Sequence, residues 1–252
     1  ELALALRERG ADDRTGRLHL LRRAIEALVD LRLHALPAQP QLEREIGKIV
    51  KEALTPEYYV NTMAIALTRI LSLERRHLDP VERGQLEMAL HPLLAVLLAE
   101  PRTFIHFEYT PGNLLLQADR VLAVDFEQAT IGPAAFDLAT LLYAPDAALD
   151  DEDLELLMAY YHDLLPNAGA TALVVGREAL EAAAIVKSLF YAGSAANFYR
   201  KFNDDARLDA LTGYVRTAER LLARTPAYHD LARCVAQHCG DAWVRRRYAY
   251  LE

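Results

Sequence analysis

Cysteine is scarce in this chain, long apolar runs and an excess of positive charge are missing from it, and each lack removes a class of protein. Cys234 and Cys239 are its two cysteines, too few for a disulfide-stapled secreted scaffold. His229 and His238 lie close by, but no metal-ligand spacing is completed around them. Two reduced thiols on a helical segment of a cytoplasmic protein are expected. No stretch reaches the roughly 18 apolar residues that a membrane span needs. The opening ELALALRERG mixes acidic and basic groups without a cleavage-type pattern, so no signal peptide is read. Lys and Arg total 28 against 36 Asp and Glu, a net charge of -8, which argues against nucleic acid as a partner. Apolar residues make up 52% of the chain and charged ones 25%, enough for a sizeable core and against disorder.

What is present divides into three zones, a helical part over 1–100, a mixed part over 101–143 and a second helical part over 144–252. A short helix is expected over Leu2–Arg9. Leu18, Leu21, Ile25, Leu28, Val29 and Leu33 share one helical face, and prolines at 37 and 40 end that helix. Helices are expected from Gln41 to about Ala53, from Pro56 to about Arg76 with Thr55 as N-cap, and from Asp79-Pro80 to Glu100. The period then shortens. FIHF, NLLLQ and VLAVDF read as strands, the last two forming a hairpin across Ala118-Asp119-Arg120. Ile131-Gly132-Pro133 reads as a turn and Ala135–Tyr143 as a helix. Beyond Asp150, which can cap a helix to about Leu164, further helices are expected over Arg177–Lys201, Asp204–Arg224 and Pro226–His238. The tail AWVRRRYAYLE is undecided, and its Arg245-Arg246-Arg247 run reads as a solvated helix end.

The chemistry concentrates between Phe104 and Tyr143. His106 and Glu108 leave one strand, and Asn113 and Asp125 flank the hairpin, so pairing its strands brings these two together. An amide oxygen beside a carboxylate suits a hard cation whose shell is completed by phosphate oxygens. Glu108 is placed to orient a hydroxyl or accept its proton. Taken singly, Glu127 is more often a turn former and His106 more often a loop brace. The joint spacing H-x-E-x4-N followed by V-D-F is far more specific than any member.

This segment resembles the catalytic core of the aminoglycoside phosphotransferase and choline kinase superfamily, relatives of protein kinases. The motifs are His106-Phe107-Glu108, Asn113, Val124-Asp125-Phe126-Glu127 and Asp137-Leu138-Ala139. Ile131-Gly132-Pro133 before Phe136-Asp137-Leu138 is similar to the bacterial branch that phosphorylates amino sugars of the cell wall. The resemblance implies an α+β, mostly α fold: the helical C-lobe of a kinase-like protein, with a small hairpin carrying the catalytic loop. It implies ATP and Mg2+ as cofactors and a sugar, amino sugar or aminoglycoside as small-molecule substrate. It places Glu108 as catalytic base, His106 as brace of the catalytic loop, and Asn113 and Asp125 on magnesium and nucleotide. Glu127 assists the metal or contacts substrate, and Asp137 supports the loop through backbone hydrogen bonds.

Two departures bear on activity. The family has Asp where this chain has Glu108, and one methylene moves the oxygens by about 1 Å, which can cost about a hundredfold in rate. No glycine-rich loop or partnering lysine precedes the motif: Gly10, Gly16, Gly47 and Gly84 are scattered, and Lys48 and Lys51 read as surface charges. The chain is therefore expected to begin just after the hinge that follows a nucleotide lobe. Against a small-molecule kinase stand a pseudokinase or ligand-binding domain, which these departures favour, and a helical interaction domain, which leaves the polar cluster unexplained. Lys187, Tyr191, Asn197, Tyr199, Arg200 and Lys201 form either a packed aromatic face or part of an acceptor pocket.

Overall fold

Apolar spacings of three and four dominate outside residues 101–134, and most of the described residues there are helical. The structure, a computed structural model, describes residues 1–10, 12–49, 54–118, 120–165, 170 and 173–239. Among these residues are ten α-helices and four short strands. They fall into two compact units, residues 1–53 with 100–180 and residues 54–99 with 181–252.

The first unit opens with α1 (Leu2–Arg9) and α2 (Arg14–Ala35). The Asp13 carboxylate caps α2 by accepting from the Gly16 N–H at 2.9 Å. One face of α2 is buried, through Leu21, Ala24, Ile25, Leu28 and Val29, and Arg32 continues that face. A 3-10 turn at Leu36–Ala38 follows, where the prolines stop the helix. Then comes α3 (Gln39–Ile49), two residues earlier than expected. The expected far end at Ala53, and Lys51, lie outside the described residues.

Four strands come next, β1 (Arg102–Ile105), β2 (Leu114–Gln117), β3 (Arg120–Ala123) and β4 (Thr130–Pro133). β2 and β3 form the expected hairpin, with Leu114 opposite Ala123 and Gln117 opposite Arg120. That register leaves two residues in the connection rather than three, and Ala118 takes the left-handed backbone (φ 51°) that so tight a turn demands. Residue Asp119 is outside the described set. Ile131-Gly132-Pro133 is not a turn. It belongs to β4, antiparallel to β1, with Arg102 opposite Pro133 and Phe104 opposite Ile131. Gly-Pro usually punctuates, but in a sheet of two strands both are edges, and a terminal proline forfeits no interior ladder bond.

The helix α6 (Ala135–Leu142) is buried at every position. It is followed by α7 (Asp151–Asp163), whose N-cap Asp150 accepts from the Asp153 N–H at 2.8 Å. Helix α2 packs against α6, α7, β1 and β3 and so forms the spine of this unit.

The second unit holds α4 (Pro56–Leu71), capped by the Thr55 hydroxyl on the Tyr58 N–H. This helix stops short of Arg76, at a 3-10 turn closed by Arg75 at φ 60°. In α5 (Pro80–Ala99) Asp79 accepts from the Val81 and Glu82 N–H groups while Glu82 accepts from the Asp79 N–H, a reciprocal capping box. The helix α8 (Arg177–Phe202) begins in the first unit and runs into the second, followed by α9 (Ala206–Arg224) and α10 (His229–His238). Cys234 and Cys239 are free thiols, both buried. Residues 240–252, with Arg245-Arg246-Arg247, are outside the described set. No helix among the described residues is long and apolar enough to cross a membrane.

Helices α4 and α8 meet at Gly193, where an added Cβ would lie 2.5 Å from the Ala66 Cα. Valine there has nowhere to go. The clash costs about 1–3 kcal/mol, more than the few tenths that replacing glycine by valine returns in helix propensity. Gly193→Val should lower the urea midpoint with an unchanged m-value, and an unshifted midpoint would contradict this contact.

Candidate active site

The site is built within the first unit, around one buried carboxylate. Asp137 lies in the first turn of α6 with no solvent exposure. Its Oδ2 accepts from the His106 N–H at 3.0 Å and its Oδ1 from the Phe107 N–H at 2.8 Å. Two consecutive amides of the loop after β1 are thus held by one side chain of α6. The grip matters because Phe107 has φ 69°, a left-handed conformation that a bulky residue adopts only when its surroundings force it. Glu108 is the next residue, so the forced backbone fixes where its side chain leaves the loop.

Asp137 is matched by Arg32 of α2, also fully buried, with Nη2 3.1 Å from Oδ2. The same Nη2 donates to the Ala134 carbonyl at 2.6 Å, and Nη1 donates to the Tyr161 hydroxyl of α7 at 3.0 Å. Tyr161 in turn donates to the Leu173 carbonyl. Burial works against the Arg32 charge, but Tyr161 and Asp137 outweigh it and hold the guanidinium pKa above its ordinary value. Burial also raises the Tyr161 and Tyr109 phenols, so both stay neutral donors. Tyr109 donates to the Ala24 carbonyl of α2 at 2.9 Å, a second tie between the loop and that helix.

His106 is fully buried and bridges the loop to the end of the hairpin. Its Nε2 lies 3.0 Å from the Val124 carbonyl, which can only accept, so the ring proton is assigned to Nε2. The imidazole sits 4.5 Å from the Phe126 ring and 5.7 Å from the Tyr109 ring. Asp125 does not end a strand as expected. It stands two residues past β3 at φ 68° and ψ 62° and leads a 3-10 turn, Phe126–Gln128. Asn113 ends another 3-10 turn, Pro111–Asn113.

Hairpin pairing extends beyond β2 and β3, because the Val124 N–H donates to the Asn113 carbonyl at 3.0 Å. Asn113 and Asp125 are therefore neighbours through the backbone. The Asn113 Nδ2 donates to the Glu108 carbonyl at 3.0 Å. This commits the amide nitrogen and leaves Oδ1, an acceptor, as the side-chain atom open to a ligand. Glu108 is half-buried, Asp125 is exposed, and neither carboxylate has a hydrogen-bond partner among the described residues. Glu127 is exposed in the turn after Asp125, with no described contact to Asn113 or Asp125. The oxygen donors present fit a hard divalent cation taking its other ligands from phosphate and water. No group of three or more His, Cys, Asp or Glu suited to a metal occurs among the described residues.

Beside these polar groups one face of the hairpin is apolar and exposed. Leu115 and Leu122 are cross-strand partners, and Val124 and Phe126 follow, all exposed. In the second unit, Lys187 is buried, with Nζ 4.9 Å from the Tyr191 ring centre, and Tyr191 packs 5.2 Å from Tyr214. A packed aromatic face accounts for these, while Arg200 and Lys201 are exposed.

Arg32 and Tyr161 were not among the residues singled out from sequence. The signal for Arg32 was there: it falls at the next helical step after Ile25, Leu28 and Val29, a charge on an apolar stripe. Nothing comparable marks Tyr161.

Residues 3–173, more than half of the chain, match the phosphotransferase enzyme family (APH), and the chain belongs to that aminoglycoside phosphotransferase family. It is also 32% identical over 165 residues to an N-acetylmuramate/N-acetylglucosamine kinase of Neisseria meningitidis serogroup B. The match takes in 64% of this chain and 44% of that kinase, so the chain spans less than half of its relative's length.

Removing the Asp137 side chain leaves Arg32 charged and buried without a counter-ion, together with two loop amides without an acceptor. Breaking such a pair costs about 3–5 kcal/mol. Asp137→Ala should lose that much stability in urea denaturation, whereas a loss below about 1 kcal/mol would mean that the loop is held by other contacts.

Proposed function

We propose that this chain is the helical C-lobe of a small-molecule kinase, which transfers the γ-phosphoryl group of ATP to a hydroxyl of an amino sugar. Family membership and likeness to an N-acetylmuramate/N-acetylglucosamine kinase support phosphoryl transfer to a small sugar. The observation that carries the site assignment is the shared backbone frame of Glu108, Asn113 and Asp125, linked by the Asn113–Glu108 and Val124–Asn113 hydrogen bonds.

Phosphoryl transfer needs little covalent help from the protein, and its catalysis is mostly positioning and charge neutralisation. The acceptor oxygen forms a bond to the γ-phosphorus, the bond to the ADP oxygen breaks, and the hydroxyl proton leaves. Glu108 orients that hydroxyl and takes its proton. Asn113 Oδ1 and Asp125 hold magnesium, with Glu127 as an assisting group. When bound, magnesium supplies neutralisation of the nucleotide phosphates. His106 keeps the Asp125 end of the hairpin against the loop, and Asp137 keeps Glu108 aimed. The exposed face of Leu115, Leu122 and Val124 suits the flat apolar part of a nucleotide. The remaining nucleotide contacts, a glycine-rich loop and a lysine, belong in this reading to a separate N-terminal lobe.

A second reading, a ligand-binding domain without turnover, draws on Glu108, whose extra methylene displaces the carboxylate by about 1 Å. In the full-length protein with ATP, magnesium and a panel of N-acetylated and neutral sugars, the kinase reading predicts phosphorylation of an amino sugar. Asp125→Ala should reduce turnover at least about a hundredfold, and Glu108→Gln should do the same, while Glu108→Asp retains activity. Turnover untouched by Asp125→Ala would remove the metal assignment. Saturable sugar binding without any turnover would favour the second reading.

A further inference from the structure

Arg32 lies outside the H-x-E-x4-N and V-D-F motifs, yet it is tied to the loop that carries Glu108. Building on the phosphotransferase reading, we propose that Arg32 is a positioning residue, which acts through Asp137 to hold the His106–Glu108 backbone in its catalytic geometry. Both side chains are fully buried. Replacing a buried ion pair by apolar residues is often neutral or stabilising, because desolvating two charges consumes most of what their attraction returns. Stability alone is therefore a weak reason for Arg32 to stand on the apolar face of α2.

Geometry supplies a stronger one. The Asp137 Oδ2 is shared by Arg32 Nη2 and the His106 N–H, and Oδ1 takes the Phe107 N–H. Asp137 can hold both amides only with its carboxylate plane fixed. The guanidinium holds that plane through Oδ2, and is itself fixed by the Ala134 carbonyl and the Tyr161 hydroxyl. Three parts of the first unit, α2, the start of α6 and α7, thus meet at one planar group. The chain of contacts ends at Phe107, whose left-handed φ of 69° would relax if the grip were loosened. Glu108 follows directly. Lysine cannot substitute, because one ammonium lacks the planar fork that serves Asp137, Ala134 and Tyr161 together.

The Asn113–Asp125 half of the site is carried by the hairpin and is joined to the loop that Arg32 braces only through the Asn113–Glu108 and His106–Val124 hydrogen bonds. Loss of Arg32 should therefore lower kcat without weakening nucleotide or sugar binding. In the full-length protein, Arg32→Lys and Arg32→Met are compared with wild type by kcat, by KM for ATP and for sugar, and by amide hydrogen exchange. The expected result is a kcat reduced about ten- to a hundredfold with both KM values within about twofold, and faster exchange at His106 and Phe107 than elsewhere in the first unit. Tyr161→Phe is the milder variant should the Arg32 variants fail to fold, and it should reduce kcat a few-fold with the same pattern of exchange. An unchanged kcat in a folded variant overturns the proposal. So does a uniform rise in exchange across the unit, which marks Arg32 as structural only. If wild type phosphorylates no sugar, the kinase reading fails, while exchange at His106 and Phe107 still decides whether Arg32 holds the loop.

Discussion

The Asp137 carboxylate joins the parts of the first unit that would otherwise have no reason to agree. It is buried without exposure, accepts from two adjacent loop amides, and faces a buried guanidinium. A carboxylate in such a place would be costly if unpaired, so its partners are obligatory. They come from α2 and from the loop after β1, while Asp137 itself belongs to α6. Their meeting sets where the loop runs and forces Phe107 into a conformation it would not choose. The local strain before Glu108 is compensated by charge-assisted hydrogen bonds made elsewhere in the unit.

From that anchor the candidate site divides into two halves with different supports. Glu108 depends on the loop and so on Asp137. Asn113 and Asp125 depend on the hairpin, whose pairing continues past its strands through the Val124–Asn113 bond. His106 links the halves, with its backbone on Asp137 and its ring on the Val124 carbonyl. In the phosphotransferase reading this separates acceptor activation from metal holding. The lengthened side chain of Glu108 then affects one half and leaves the other intact, which is why a binding domain and a kinase are both chemically coherent outcomes for this site.

Much of this was legible in the sequence, for identifiable reasons. Helices with a clear apolar stripe or a Ser, Thr or Asp cap lie where periodicity and capping put them at α2, at α7 and at the start of α4, whose end comes earlier than its pattern suggests. The grouping of Asn113 with Asp125 followed from hairpin pairing alone. Short-range signals misled where tertiary context overrode them. Gly132-Pro133 reads as a turn, but β1 recruits it as a strand from residues distant in sequence. Asp125 reads as a strand end, but its left-handed backbone is set by the turn that follows. Long-range polar contacts are least legible. The separation of 105 positions between Arg32 and Asp137 leaves no local trace beyond a charge on an apolar face.

In the phosphotransferase reading, Asn113 and Asp125 form the metal end of a nucleotide site. Manganese can replace magnesium as a paramagnetic probe in the full-length protein, 15N-labelled and held with a non-hydrolysable ATP analogue. The account predicts that substoichiometric manganese broadens the amide signals of Asn113, Val124 and Asp125 first, and that Asp125→Ala abolishes this broadening. Broadening centred elsewhere in the chain, with those three signals sharp, would contradict it.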